Sequence, residues 1–242
     1  MINTYNETHL HKTLKELYAL QNEGSKTEVP CGKYIADIMK EDGSIIEIQT
    51  GTLSSLAGKI EYFSDEKRHV TVVFPLPVEK FIEKTDECTG KTSRKKSPKK
   101  MRLTSVFREL TKLYPFLLSR NFTLIVLETQ ITEERTVYGT KMQSKNGRRR
   151  FMKNWQKTGK RLDSIIGEHV FHGKTSWKKL LPNCFFSTEM EFTSTLFHRE
   201  IEKKFPGTTK KESDLMLWVY TKMLFFERLE EKKGNSYIYR LL

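Results

Sequence analysis

The chain has 242 residues, and its 43 lysines and arginines against 30 aspartates and glutamates give a formal charge of +13. Hydrophobic content of 37% with 11% aromatics is enough to build packed cores, which excludes a disordered chain, while the basic excess points to an anionic partner, nucleic acid before acidic membrane. The scattered Cys31, Cys88 and Cys184 argue against a disulfide framework or zinc cluster; with no apolar signal segment and no spanning run, the expectation is a cytoplasmic protein without a membrane partner.

Leu10, Leu14, Leu17 and Tyr18 share one face at helical spacing and predict a helix from about Glu7 to Gln21. Ile35-Ala36-Asp37-Ile38 then reads as a strand end, Glu41-Asp42-Gly43-Ser44 as a turn, and Ile45 to Gln49 as the strand coming back. Such a hairpin brings the carboxylates of Asp37 and Glu47 to one end of a sheet, each among β-formers that bury it. An acid inside an apolar strand is costly unless something positive meets it, and a divalent metal is the usual partner.

Leu53, Leu56, Ile60 and Phe63 predict a second helix from about Thr52 to Ser64. The apolar run Val70 to Pro75 reads as a strand buried on both faces, and strand, helix, strand in succession predict a right-handed crossover with parallel strands. Residues 90–102 hold Lys91, Arg94, Lys95, Lys96, Lys99, Lys100 and Arg102 with no acid around Ser97-Pro98, and read as a loop. Val106, Leu110, Leu113 and Tyr114 make another helix ended by Pro115, and Phe122 to Glu128 another strand, so an α-β-β-α-β core runs to about Val137.

Residues 145–180 are strongly basic, with Arg148, Arg149, Arg150 and Lys153 at their start and Phe151, Trp155 and Trp177 among them. They read as a connector, partly helical around Leu162 to Val170. Arginines and lysines of this density neutralise backbone phosphates, and Trp155 or Phe151 is placed to stack on bases or to pack in a core. Beyond Asn183, Ser187-Thr188-Glu189 is a helix-capping pattern, Pro206-Gly207 a turn, and Leu215, Trp218, Val219 and Phe226 one helix face. Gly234-Asn235 closes a tight hairpin. Helix, helix, helix, hairpin is the order of a winged helix-turn-helix, whose helix from near Thr208 would enter a groove through Lys210 and Lys211. The division is 1–140 core, 141–182 connector and 183–242 winged-helix-like domain.

Glu28, Asp37 and Glu47-Ile48-Gln49, preceded by a helix carrying His11, resemble the PD-(D/E)xK nuclease superfamily. With Leu10-His11, Glu47-Ile48-Gln49-Thr50 and Val70-Thr71-Val72-Val73-Phe74-Pro75, the chain looks most like an uncharacterised bacterial group of that superfamily. The resemblance implies an α/β, restriction-endonuclease-like mixed sheet flanked by helices, acting as a Mg²⁺- or Mn²⁺-dependent endonuclease on DNA. It makes Asp37 and Glu47 the metal ligands, with the Ile48 carbonyl as a further one, and has Glu28 orient a metal-bound water or second ion. Gln49 stands where the superfamily has a catalytic lysine; Lys59, on the following helix, is the candidate replacement, and otherwise a solvated helix lysine.

Each residue also has an ordinary reading. Asp37 can pair with Lys33 or Lys40 at a strand end, Glu28 can be a loop acid, and His11 reads first as a packed histidine. A catalytically inactive DNA-binding protein on a nuclease-like fold is the alternative function. RNA in place of DNA, and a homodimer, are left open. The nucleic-acid contacts expected are Lys95, Lys96, Arg148, Arg149, Arg150, Lys153, Lys210 and Lys211.

Overall fold

The computed structural model describes residues 8–143, 152–187 and 190–242. The first helix, α1 (His9–Gln21), begins where the Thr8 hydroxyl accepts the His11 N–H, and it buries Leu10, Leu14 and Tyr18. Three strands follow in a meander: β1 (Lys26–Cys31), β2 (Tyr34–Met39) and β3 (Ile45–Ile48). The turn between β2 and β3 is set by Asp42, whose Oδ1 accepts from the Ser44 N–H (2.9 Å) and hydroxyl (2.6 Å), and by Gly43 at φ 77°. A left-handed residue there costs a side chain about 1 kcal/mol or more, and glycine nothing.

After a 3₁₀ turn at Leu53–Leu56 come α2 (Ala57–Asp65) and the long strand β4 (Val70–Asp86). Next are β5 (Thr92–Lys96), the short α3 (Phe107–Leu110), β6 (Phe122–Met142) and β7 (Lys153–Phe171). The described residues form a seven-stranded mixed sheet in the order β1-β2-β3-β4-β6-β7, with β5 beside β4. β3 pairs with β4 and β4 with β6 in parallel; β1–β2, β2–β3, β4–β5 and β6–β7 are antiparallel. The parallel β3–β4 pair with α2 between them is the crossover expected from the sequence.

Helices cover both faces. On one, Leu10, Leu14 and Tyr18 of α1 pack on Ile38, Ile46, Ile48, Val73, Leu127 and Ile131. On the other, α2, α3 and the C-terminal helices share a larger core containing Phe63, Val72, Phe107, Phe122, Trp177 and Tyr220. That C-terminal part is α4 (Gly173–Lys178), β8 (Phe192–Thr193), α5 (Ser194–Lys204), α6 (Lys210–Lys222), β9 (Phe226–Lys233) and β10 (Ser236–Leu241). β8, β10 and β9 make a three-stranded antiparallel sheet in that order. Trp177 welds this part to the large sheet: it is fully buried, stacks on Phe171 at 4.4 Å, and its indole N–H donates to the Leu117 carbonyl at 3.1 Å. The Tyr220 hydroxyl donates to the Trp177 carbonyl at 2.8 Å.

Several sequence expectations are corrected. The basic run 90–102 is not simply a loop, because Thr92–Lys96 is strand β5 on the edge of β4. Within the connector 141–182, Lys153–Phe171 is strand β7, which pairs with β6 along its length, and Leu162 to Val170 is strand rather than helix. The first core accordingly extends past Val137, with β6 reaching Met142 and β7 closing the sheet. Both errors have one cause: the outer halves of these strands carry polar residues on both faces, so the apolar alternation that marks a strand is missing. The helix through Tyr114 stops at Leu110 and gives way to turns. Thr193, rather than residues 187–189, caps α5 through its hydroxyl; Thr188 and Glu189 lie outside the described residues.

Candidate carboxylate site

Asp37 and Glu47 meet across the β2–β3 hairpin. Backbone groups lock the pair: the Ile48 N–H donates to Asp37 Oδ2 at 2.8 Å, and the Asp37 N–H donates to Glu47 Oε1 at 3.3 Å. A lysine and a histidine come in from the helices on opposite faces. Lys59 Nζ of α2 lies 2.5 Å from Glu47 Oε2, and His11 Nε2 of α1 lies 3.4 Å from Asp37 Oδ2. Lys15, one turn after His11, pairs with Glu28 on β1. Glu28 lies in β1 between the register pairs Thr27–Ile38 and Val29–Ala36, and it holds a left-handed φ of 53°.

The two carboxylates differ in their electrostatics. Burial raises the pKa of Asp37, but the His11 hydrogen bond, the Ile48 N–H and the Lys59 charge outweigh it, so the group sits below the ordinary aspartate range. Glu47 is 2% exposed; burial first, then the neighbouring Asp37 charge, push its pKa up to about 7 against the opposing pull of Lys59. Glu47 thus remains destabilised as an anion beside Asp37 even with Lys59 in contact, and another positive charge would favour its ionised form.

Among the described residues no three of His, Cys, Asp and Glu converge to hold a metal. The donor set is therefore two carboxylates, all oxygen, which fits Mg²⁺ or Mn²⁺, ions that keep several waters, and does not fit a structural zinc. Asp37, Glu47 and Lys59 thus come together as the sequence pattern anticipated, and Glu28 stands alongside, engaged by Lys15. Gln49 does not join them. Its amide nitrogen donates to the Thr52 carbonyl (3.2 Å) and Ser55 hydroxyl (2.6 Å), and its oxygen accepts from the Gly51 N–H (3.3 Å), so it builds the turn into α2. His11, whose ordinary reading from the sequence is a packed or exposed histidine, stands beside Asp37; its spacing of four from Lys15 puts both on the helix face toward β1 and β2.

The candidate nucleic-acid contacts are dispersed. Lys95 and Lys96 are exposed on β5, Lys96 paired with Glu79 at 2.7 Å. Lys153 is exposed at the start of β7 and lies 4.9 Å over the Trp155 ring, which Arg135 also covers at 3.8 Å. Lys210 and Lys211 are exposed in the first turn of α6. Arg148, Arg149 and Arg150 lie outside the described residues. Among those described, no helix is long and apolar enough to cross a membrane.

These features define an α/β protein with a mixed sheet, helices on both faces and an acid pair, Glu47 buried and Asp37 half-buried, at one hairpin. Residues 8–172 match the profile of the family described as Domain of unknown function (DUF8091), and the chain belongs to that family. The match runs from just before α1 to the residue after β7, so Asp37, Glu47, Lys59 and His11 all lie within it. The chain is also 27% identical over 203 residues to an uncharacterised protein of Treponema pallidum (strain Nichols), covering 81% of this chain and 76% of the relative. No solved structure matches it.

Proposed function

We propose that this protein hydrolyses phosphodiester bonds of DNA in a divalent-metal-dependent reaction at the Asp37–Glu47 pair. The observation that carries the reading is a pair of mutually repelling acids on adjacent strands, Glu47 buried and Asp37 half-buried, with a lysine delivered to it by the next helix. Asp37 and Glu47 would hold Mg²⁺ or Mn²⁺, which when bound supplies an activated water and charge on the scissile phosphate. Lys59 fixes the Glu47 carboxylate and brings protons and positive charge to where a phosphate oxygen becomes more negative. His11 fixes the Asp37 rotamer. The order α1, hairpin, α2, β4 agrees with the superfamily resemblance, and Lys59 supplies the charge that Gln49 lacks.

DNA as the substrate is supported by the +13 charge and by Lys210 and Lys211. Both lysines are exposed at the start of α6, where Glu212 closes the capping box with Thr209 and leaves the two ammonium groups to solvent or an external anion. We read α5, α6 and the β8–β10–β9 sheet as a winged helix-turn-helix with the α6 N-terminus at a groove.

The test is incubation with linear, nicked and branched DNA plus Mg²⁺ or Mn²⁺, comparing wild type with Asp37→Ala and Glu47→Ala. Each substitution is expected to lower cleavage about 100-fold or more. Equal cleavage by all three proteins, or none by the wild type, removes the proposal. A second reading, DNA binding without hydrolysis, is favoured by one observation: Lys59 already occupies Glu47 Oε2. DNA binding unchanged in EDTA, with no Mn²⁺ taken up by the wild type, would select it.

A further inference from the structure

Beyond Ile131 and Leu162, where the α1-side core ends, β5, β4, β6 and β7 continue outward as a four-stranded blade. Its lateral register sorts the charges by face, because residues paired across a sheet point to the same side. One row runs Lys95, Ile82, Glu133, Lys160, and the next Ser93, Lys84, Arg135, Lys157. These rows lie on the face of Ile131 and Leu162, the side of the sheet that α1 covers.

The opposite face balances its charges. There Arg161 pairs with Glu83 (2.9 Å) and Glu134 (3.0 Å), Arg94 with Asp163 (3.0 Å) and Lys96 with Glu79 (2.7 Å). On the α1 side Glu133 is the one acid of the two rows, and it is shared by Lys80 (2.5 Å) and Arg135 (2.6 Å). Among the described residues, Lys84, Lys95, Lys157 and Lys160 form no ion pair with an acid. Desolvation of its ammonium first, and the neighbouring Lys160 next, pull the Lys157 pKa to about 8. Cations held this close repel one another, and a polyanion relieves the repulsion.

The cations form two rails, Lys95 and Lys84 on one side and Lys160 and Lys157 on the other. Two to three strand spacings separate them, roughly 10–14 Å. That is the scale of the major groove of duplex DNA, about 12 Å wide, whereas the major groove of duplex RNA is narrow. Along each strand, alternate residues are about 6.6 Å apart, a spacing suited to a chain of phosphates rather than to one small anion.

We propose that the α1-side face of the β5–β4–β6–β7 blade is the surface that grips duplex DNA, its two lysine rails following the phosphate backbones on either side of a groove. This rests on the reading of DNA as substrate and names the surface that holds it. It also separates Lys95 from its neighbour Lys96: the first belongs to the contact surface, the second to the balanced face.

The experiment measures binding in EDTA, so that cleavage plays no part. Anisotropy of a labelled mixed-sequence DNA duplex is titrated over a salt series for the wild type, for Lys96→Gln, and for the combined Lys84→Gln, Lys95→Gln, Lys157→Gln and Lys160→Gln. The fourfold variant is expected to bind at least tenfold more weakly and to flatten the slope of log K against log salt by about 3–4, while Lys96→Gln leaves both unchanged. Acetylation of wild-type lysines with and without the duplex gives a readout free of any folding defect; protection of Lys84, Lys95, Lys157 and Lys160 but not Lys96 is expected. A slope altered by less than about one, absence of that protection, or tighter binding to duplex RNA or to phosphatidylserine vesicles overturns the proposal. A protein that binds through the rails yet never cleaves sinks the hydrolytic reading and leaves this surface standing.

Discussion

Lys59 Nζ sits 2.5 Å from Glu47 Oε2, joining the helix behind the sheet to the most deeply buried acid of the hairpin. Replacing that ammonium leaves Glu47 facing the Asp37 charge alone. Lys59→Met is therefore expected to raise the Glu47 pKa further and to destabilise the protein by about 3 kcal/mol at pH 8. Cleavage should fall about 100-fold, with partial recovery in Lys59→Arg. Urea unfolding at pH 8 and single-turnover cleavage check the two arms; a variant as stable as the wild type shows that the pair carries no net weight.

The raised Glu47 pKa makes the protein's stability depend on pH. Between its ordinary value of 4.5 and the folded value of about 7, the folded protein holds a proton that the unfolded chain has lost. The contribution is fully present below the unfolded value and disappears as pH rises through about 7, amounting to about 3 kcal/mol. Asp37, whose pKa is depressed, acts the opposite way, adding stability above its ordinary value and losing it only in more acid solution. Urea midpoints at intervals across this window should therefore fall toward neutrality, and Glu47→Gln should remove most of that slope. An unchanged slope in the variant rejects the assignment.

Metal should reverse that loss. Adding Mn²⁺ near pH 7 is expected to raise the thermal midpoint and to release about half a proton per ion bound, as Glu47 is forced to ionise. At ligand near 100 times Kd the gain is about 2.7 kcal/mol. Calorimetry in two buffers of different ionisation enthalpy measures the proton. Asp37→Asn should abolish both effects, and an equal response in that variant places the ion elsewhere.

Leu224 follows the C-cap of α6 at φ 57° and is 67% exposed. Its N–H donates to the Thr221 carbonyl and that of Phe225 to the Tyr220 carbonyl, the closure in which glycine is favoured. Leu224→Gly is expected to stabilise the protein by about 1 kcal/mol, since little buried apolar surface is lost. A destabilised variant in urea would mean that the side chain packs more tightly than its exposure indicates.

The hairpin and crossover were legible because each leaves a local mark: Asp42-Gly43-Ser44 between β-formers, the 3.6 period of Leu53, Ile60 and Phe63, and the unbroken Val70–Phe74 run. Lys59 could be flagged from its place beside that apolar stripe. The blade left no such mark, since Lys84 and Lys157 face solvent on one side while Glu83, Glu134 and Arg161 pair on the other. Nor could spacing show that Gln49 turns toward Thr52 and Ser55, or that α1 aims His11 at Asp37; both depend on where a distant element docks.

The parallel register of β4 with β6, from Val70–Phe122 to Asp86–Val137, carries a cost during synthesis. Val72 and Phe74 leave the ribosome long before the segment that flanks them exists, and Trp177 arrives later still. Until then the nascent chain exposes an apolar strand with a bare edge, so this topology folds late and calls for shielding by a chaperone.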